Sequence, residues 1–180
     1  LGPGLHIAAY ESTATELTYE ALEDFARFAD HKGYPEAAER HRAAGHPEED
    51  FVEVYTRHAK ALVAAGDGAG ADRRLGLATE IVALANPYTD DVADGLPVQV
   101  WHGDSPRADA QVELFEKSPD GIVQMTLRRT DAEGVAHLPV RPGHAYLVNA
   151  VLLRPAGPDL AAAEGAVWET LWAALTFSLP

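Results

Sequence analysis

Histidines are the residues of this sequence best suited to bind an ion, because neutral imidazole is the commonest protein ligand for Ni, Co, Zn and Cu. The eight histidines are His6, His31, His41, His46, His58, His102, His137 and His144. His31, His41, His46 and His58 lie in a part of the chain with helical patterns. Because their neighbours in sequence are charged, we predict that these four side chains are solvated. His102, His137 and His144 lie on predicted strands or strand ends and are the candidate metal ligands.

The stretch "VAHLPVRPGHAYLV" predicts a β-hairpin that would bring two of these candidates together. A tight turn at Pro142-Gly143 would pair Arg141 with His144, and His137 would share their face with Tyr146. The side chains that would then face the core are Ala136, Leu138, Val140, Ala145 and Leu147.

The number of ligands on this face argues against a complete site. A zinc or nickel site needs three or four ligands at about 2.0–2.2 Å, and diagonal neighbours across strands supply two at most. His102 or Asp104 would have to supply a third from another turn, and Arg141 would repel a cation. We therefore expect these residues to hold no complete metal site of their own.

Catalytic motifs are missing from the sequence. There is no Gly-x-Ser-x-Gly nucleophile and no His-Glu-x-x-His zinc helix. The glycine-rich residues 66–70 lack the Lys-Ser/Thr of a phosphate loop, and residues 89–95 lack the spacing of a calcium loop. The chain has no cysteine, which excludes thiol catalysis and disulfides. These observations predict a protein that is not an enzyme.

Charge and hydropathy exclude two further classes of function. The 28 acidic and 14 basic side chains give a net charge of -14, a field that repels nucleic acid and attracts cations. No apolar run approaches the roughly 20 residues of a membrane span. The sequence therefore predicts no nucleic-acid partner and no membrane span in this chain.

The first part of the chain has helical patterns after a short strand at residues 6–11. A helix is predicted to begin at Thr18 and end near Gly33, and its buried stripe is Leu22, Phe25, Ala26 and Ala29. A second short helix covers residues 35–45, and a third begins at Pro47 with acidic residues in its first turn. The end of the third is ambiguous, because "AKALVAAG" also fits a strand.

From residue 75 onward the pattern changes to short strands separated by turn residues, which is typical of a β-sandwich. The strand-like runs are "ATEIVAL", "LPVQVWH", "DAQVELFE", "VQMTLRRT", "GVAHLPV" and "HAYLVNAVLL". The Gly/Asp-rich residues 67–76 mark the best boundary between the two parts. The closing "VWETLWAALTFSLP" fits a helical stripe and a strand alternation equally well.

Several stretches are of interest together because of their order in the chain: "YESTATEL", "YTRHAKALVAAGD", "LGLATEIVALANPY" with "DGLPVQV", "TDAEGVAHLPV" and "VWETLWAALTF". In this order they resemble the bacterial domain-of-unknown-function 4198 family, whose members are often described as NikM-like periplasmic components of nickel or cobalt uptake. The fourth is shared with carboxypeptidase-regulatory-like sandwiches. The last resembles the family's closing strand, so the resemblance decides for a strand there.

The resemblance implies an α+β, mainly β protein. Its Ig-like or transthyretin-like sandwich would cover about 74–180, and residues 1–66 would be the end of an N-terminal β domain plus a helical connector. It also implies a signal peptide upstream and therefore a periplasmic or extracellular protein. One departure is Leu152, where many members have His, and the family's N-terminal His is absent from this chain.

Two functions follow as expectations. The first is a non-enzymatic, extracytoplasmic binding component of transition-metal uptake, with a membrane transporter component as partner. Its full-length form would take a Ni, Co, Cu or Zn ion, and the family's N-terminal His would be needed to complete the site. The alternative is a structural or adhesion-type sandwich module that binds a protein or carbohydrate partner and no metal. Clustered His and carboxylates would favour the first, and an exposed aromatic patch the second.

The closing strand supports a specific expectation about its tryptophans. Side chains alternate along a strand, so Leu171, Ala173, Leu175 and Phe177 should face the core of the sandwich. Trp168 and Trp172 should lie on the opposite face, covered by the helical segment through Phe25 and Phe28. The helices themselves should pack on strands, since helices of about 12 residues are marginal alone.

Overall fold

The computed structural model of the protein describes residues 2–180. In chain order its elements are β1 (Gly4–Glu11), β2 (Thr15–Tyr19), α1 (Leu22–His31), α2 (Ala37–Ala43), β3 (Phe51–Ala65), β4 (Thr79–Ala83), β5 (Leu96–His102), β6 (Ser105–Pro106), β7 (Gln111–Lys117), β8 (Val123–Arg129), β9 (Val135–Leu138), β10 (Ala145–Pro155), α3 (Pro158–Glu164) and β11 (Ala166–Ser178). Among these described residues, no helix has the length and apolar character needed to cross a membrane.

The strands form two sheets. The larger sheet has the order β1-β3-β11-β10-β7-β8, and β2 pairs with β3 beside this path. The smaller sheet has the order β4-β5-β6, and β9 pairs with β5. The predicted mainly β fold is confirmed, and so are the six strand-like runs between residues 78 and 155.

One hydrophobic core joins side chains from both sheets, which makes this part a β-sandwich. The smaller sheet contributes Ile81, Leu96, Val98, Val100, Ala136 and Leu138. The larger sheet contributes Leu62, Val112, Leu114, Tyr146, Val148, Ala150, Ala173, Leu175 and Phe177. Each strand supplies alternate residues, as the period of two requires.

The chain separates into two compact units, each assembled from segments that are distant in sequence. Unit 1 comprises the chain up to Glu11, Arg57–Ala150 and Trp172–Pro180, and it holds the sandwich core. Unit 2 comprises Ser12–Thr56 and Val151–Leu171, and it holds an aromatic cluster around α1 and α2. The predicted division into 1–66 and 74–180 separates the chain at one point. Each of the two observed units instead contains segments from before and after that point.

The closing segment is strand β11, as the resemblance implied. Ala173, Leu175 and Phe177 face the sandwich core. Trp168 has the opposite strand parity, and its ring stacks on Phe25 at 5.1 Å between centroids. At Trp168 two expectations are therefore confirmed. This side chain lies on the face opposite the core residues of the strand, and α1 covers it through Phe25.

The helical part was predicted with two errors. Helix α1 begins at Leu22, because Thr18 lies in β2 and pairs with Val52. The third helix is wrong, since residues from Phe51 onward form strand β3. Asp50 precedes it with φ of 52°, a left-handed conformation that Asp tolerates and that a helix cannot continue. β2 and β1 then pair with successive halves of β3 and satisfy its backbone groups.

The predicted hairpin at Pro142-Gly143 is also wrong. β9 pairs with β5 and β10 pairs with β7, so the connection between β9 and β10 crosses from one sheet to the other. The turn donates its Gly143 N–H to the carbonyl of Leu179 and is fixed by the end of the chain. The face of β10 that points to the core is therefore the opposite of the predicted one. Tyr146 and Val148 are buried in the core, whereas Leu147 is exposed.

Candidate functional site

The three predicted metal ligands lie at separate places. His102 ends β5 opposite Thr79, and His137 lies on β9 opposite Pro97. Because Pro97 and His102 are five positions apart on β5, the two histidines are separated by roughly 16 Å along the sheet. His144 precedes β10, in the other sheet. Within residues 2–180 no group of three or more His, Cys, Asp or Glu is placed to hold a metal ion.

His144 lines a pocket of about 180 Å³ in unit 1. The end of β7, the turn before β8 and the connection between β9 and β10 form its walls. Its lining residues are Glu116, Ser118, Asp120, Ile122, Gln124, Arg141 and His144. Glu116 continues the strand face of Val112 and Leu114, two core residues. The pocket therefore begins where the apolar core ends.

A bidentate ion pair shapes this pocket. Arg141 donates from Nε to Oε1 of Glu116 at 2.6 Å and from Nη2 to Oε2 at 2.9 Å. The hydroxyl of Tyr146 donates to the same Oε1 at 3.1 Å and accepts the backbone N–H of Arg141 at 2.7 Å. Tyr146 stacks on Phe177 at 5.1 Å, which ties the pair to the core. The position of Glu116 is thus fixed from two sides.

His144 presents one nitrogen to Glu116. Its Nδ1 lies 2.9 Å from the carbonyl oxygen of Pro142, which fixes Nδ1 as the donor. Nε2 lies 3.7 Å from Oε1 of Glu116, and the side chain is 16% exposed. A backbone carbonyl on one ring nitrogen is the arrangement that orients a metal-binding histidine. Nε2 is therefore the ring nitrogen that faces Glu116.

The remaining carboxylate of the pocket is Asp120. It accepts a hydrogen bond from the Ser118 hydroxyl, and this bond lowers the pKa of the exposed Asp120. Sequence reasoning missed Glu116, at the end of β7, and Ser118 and Asp120, in the turn after it, because they are distant in sequence from the predicted hairpin; Glu116 and Arg141 are 25 residues apart. The sequence did contain a signal for Glu116. In "VELFE" it is a charged residue at the next alternate position after the buried Val112 and Leu114.

Replacing Glu116 by Gln is expected to cost at most about 1 kcal/mol of unfolding free energy at neutral pH, since Arg141 is largely exposed. The hydrogen bond from Arg141 is the main cause that lowers the pKa of Glu116 below its ordinary value of 4.5. A lowered carboxyl pKa stabilises the fold above the unfolded-state value, and this stabilisation is lost as pH falls through the folded-state value. Urea unfolding at several pH values should show the difference from wild type vanish in acid. A difference that grows in acid would contradict the assignment.

A second polar cluster in unit 1 is buried. Nζ of Lys60, on β3, lies 2.7 Å from Oδ1 of Asp72 and 3.0 Å from Oε1 of Glu80, on β4. It also donates to the carbonyl of Arg73 at 2.9 Å. These three ionisable side chains are at most 1% exposed. The segment of residues 67–76, predicted as a connector, is therefore irregular in structure but fastened to the sheet.

Backbone donors satisfy the two carboxylates of this cluster. Asp72 accepts the N–H of Ala83 on Oδ2 at 2.8 Å and its neighbour's N–H on Oδ1 at 2.8 Å. Glu80 accepts the N–H of Leu75 on Oε1 at 2.8 Å and that of Gly76 on Oε2 at 3.2 Å. The cluster carries one cation and two anions, so backbone dipoles supply the remaining stabilisation.

The helical histidines are not all solvated, which corrects the prediction. His41 is fully buried in unit 2, where Nε2 lies 2.7 Å from the carbonyl of Pro47 and Nδ1 accepts the indole N–H of Trp168 at 2.9 Å. His58 is also buried, in unit 1, and burial lowers its pKa although Glu11 opposes the shift. The position of His41 shows that it is part of a packed cluster and not a ligand candidate.

Glu53 is a buried carboxyl in unit 2. It accepts hydrogen bonds from the hydroxyls of Tyr19, at 2.9 Å, and Thr170. Burial raises its pKa, and the two hydroxyl donors partly counteract this. Both donors are themselves buried, so this carboxyl stabilises the interior of the unit.

An apolar strip lies on the outer face of the larger sheet. Edge strand β8 exposes Val123, Met125 and Leu127, and β10, on the other side of β7, exposes Leu147. A groove lined partly by Phe115 and Val123 runs along it. The strip is aliphatic, whereas the alternative of a partner-binding module called for exposed aromatic side chains.

Comparison with known proteins adds one result to this geometry. The sequence model of the family described as "Domain of unknown function (DUF4198)" matches residues 2–154. No curated protein and no solved structure matches the chain. The match covers well over half of the 180 residues and includes both polar clusters of unit 1. The chain therefore belongs to the DUF4198 family.

Proposed function

We propose that the protein is a non-enzymatic, extracytoplasmic binding component of transition-metal uptake, with nickel or cobalt as its cargo. The observation that carries this proposal is the pairing of His144 Nε2 with Glu116 Oε1 at 3.7 Å on one pocket wall, with His144 oriented by a backbone carbonyl. An imidazole nitrogen suits nickel and other borderline divalent metals, and a carboxylate oxygen can serve as a further ligand beside it. Asp120 lines the same pocket and adds a second carboxylate.

The pocket offers part of a ligand set. Residues 2–180 contain no metal-holding group of three ligands, and Arg141 occupies both oxygens of Glu116. A cargo ion would have to displace Arg141 and take a further ligand from a partner, for which a membrane transporter component is the natural source. Such a partial site binds weakly and releases easily, which suits transfer. The net charge of -14 raises the local concentration of cations around it.

Calorimetric titration with Ni²⁺ and Co²⁺ tests this role. We expect weak binding to the wild type and a loss of at least about tenfold in affinity for His144→Ala, because the only imidazole of the pocket is removed. His137→Ala is the matched control, since His137 is exposed on β9 and lies outside the pocket. Equal affinities of wild type and His144→Ala, or no binding to either, would contradict the proposal.

A further inference from the structure

The buried cluster of Lys60, Asp72 and Glu80 has a geometry that goes beyond a salt bridge. The chain has three lysines, of which Lys60 is buried, Lys32 is half-buried and Lys117 is exposed. Lys60 places its amine in contact with one carboxyl at 2.7 Å and a second at 3.0 Å. A nucleophile, an electrophile and a proton carrier are thus held together in a dry interior.

We propose that Lys60 and Asp72 join in an intramolecular isopeptide bond, formed without any other enzyme and assisted by Glu80. The product would link β3 covalently to the segment that leads into β4. No other reactant is required, because the reaction is a condensation between two side chains of the same chain.

The reaction balances as follows. A proton passes from the Lys60 ammonium to the Asp72 carboxylate, which leaves a neutral amine and a neutral acid. Nζ then forms a bond with Cγ of Asp72, and a proton of Nζ passes to Glu80. Glu80 returns this proton to the departing hydroxyl, the Cγ–O bond breaks, and one water molecule leaves. The products are the Lys60–Asp72 amide and water, and Glu80 is again a carboxylate.

Burial gives the condensation a driving force. Both partners are at most 1% exposed, and a low-dielectric interior disfavours the charged forms of an amine and a carboxyl. The condensation removes this buried charge pair altogether. Glu80 remains as an anion, and the N–H groups of Leu75 and Gly76 already stabilise it.

Preorganised donors favour the addition step. The Ala83 N–H points to Oδ2 of Asp72 and the Arg73 N–H to Oδ1, each at 2.8 Å, so charge that develops on these oxygens is stabilised. Fixing amine and carboxyl in contact corresponds to an effective molarity of about 10⁵–10⁸ M. This proximity offsets the unfavourable equilibrium of amide formation in water.

Asp72 is the electrophile, and Glu80 the proton carrier, because of their different positions. Asp72 is nearer to Nζ, and Glu80 is held on both oxygens by the Leu75 N–H, at 2.8 and 3.0 Å, and by Gly76. These backbone contacts hold the Glu80 carboxylate in place beside the amine, 3.0 Å from Nζ, where it can pass a proton between the reacting groups.

Intact-mass spectrometry of the purified, denatured chain tests the proposal. The wild type should be lighter than its sequence by one water molecule, and tandem spectrometry of a digest should find the peptides of Lys60 and Asp72 joined. Lys60→Arg and Asp72→Ala should each have the full sequence mass. A wild-type mass equal to that of the sequence overturns the proposal, and this result does not depend on any variant folding.

Glu80→Gln tests the proton carrier separately. It retains both reacting groups, and we expect the joined fraction to fall sharply while circular dichroism reports a folded sandwich. Lys117→Arg, at an exposed lysine, should remain fully joined. A Glu80→Gln chain that is as completely joined as the wild type would overturn the role of Glu80.

Discussion

Replacing Lys60 by Met is expected to lower the free energy of unfolding by about 3–5 kcal/mol, the usual cost of leaving a buried charge without its partner. The variant lacks the amine that pairs with Asp72 and Glu80 or, once joined to Asp72, neutralises that carboxyl, so both carboxylates stay buried and charged. Two uncompensated carboxylates then repel each other in a low-dielectric site. Urea denaturation followed by circular dichroism measures the loss.

The matched control is Lys117→Met, at an exposed position, which should change the unfolding free energy by less than about 0.5 kcal/mol. The double variant Lys60→Met with Glu80→Met should recover part of the loss, because one buried anion is removed with the cation. If Lys60→Met is as stable as wild type, the cluster does not contribute to the stability of unit 1.

Replacing Trp168 by Ala is expected to cost about 3–5 kcal/mol, the range for truncating a large buried aromatic side chain. Trp168 is 2% exposed and stacks on Phe25. The substitution also removes the indole N–H that Nδ1 of His41 accepts, and leaves that buried nitrogen without its donor. Thermal or urea unfolding of the full chain measures the effect.

Trp172→Ala is a closely matched control, because Trp172 has the same strand parity on β11. Trp172 is half-buried, and Arg57 lies over its ring at 5.0 Å, so we expect a loss about half as large or less. If the two substitutions lower the unfolding free energy equally, the contacts of Trp168 in the aromatic cluster of unit 2 do not stabilise the protein more than those of Trp172.

The two polar clusters of unit 1 serve different purposes. Lys60, Asp72 and Glu80 are closed to solvent, and their proposed chemistry is internal to the chain. Glu116, Arg141 and His144 border a pocket and are the groups that a ligand can reach. A loss of metal binding in His144→Ala and a wild-type mass one water below the sequence mass are therefore independent results.

The sequence alone determined the strands between residues 78 and 155 and the two short helices. Most of those strands bury one face along much of their length, so alternation with turn residues between them is sufficient evidence. The buried residues of α1 were likewise predictable, since Leu22, Phe25 and Ala29 follow the helical period.

The site could be predicted only in part. His144 was identified as a candidate from its residue type, but its neighbours Glu116 and Arg141 are 25 residues apart in sequence. A Pro-Gly turn specifies that the chain reverses, not which strand it pairs with next. The sheet change after β9 therefore decided which groups surround His144.

The local pattern did not decide the nature of β3 or β11: only the tertiary structure decided that β3 is a strand, and for β11 the family resemblance had implied it. In β3 the buried side chains are Phe51 and Glu53 at one end, and then Val54, His58, Lys60 and Leu62, which have the opposite parity. In β11 the buried parity changes in the same way between Trp168 and Ala173. Opposite faces of one strand are covered in its two halves, and such a change produces spacings of three and four that imitate a helix. Neighbouring strands and helices, and not the local pattern, determine which face is covered.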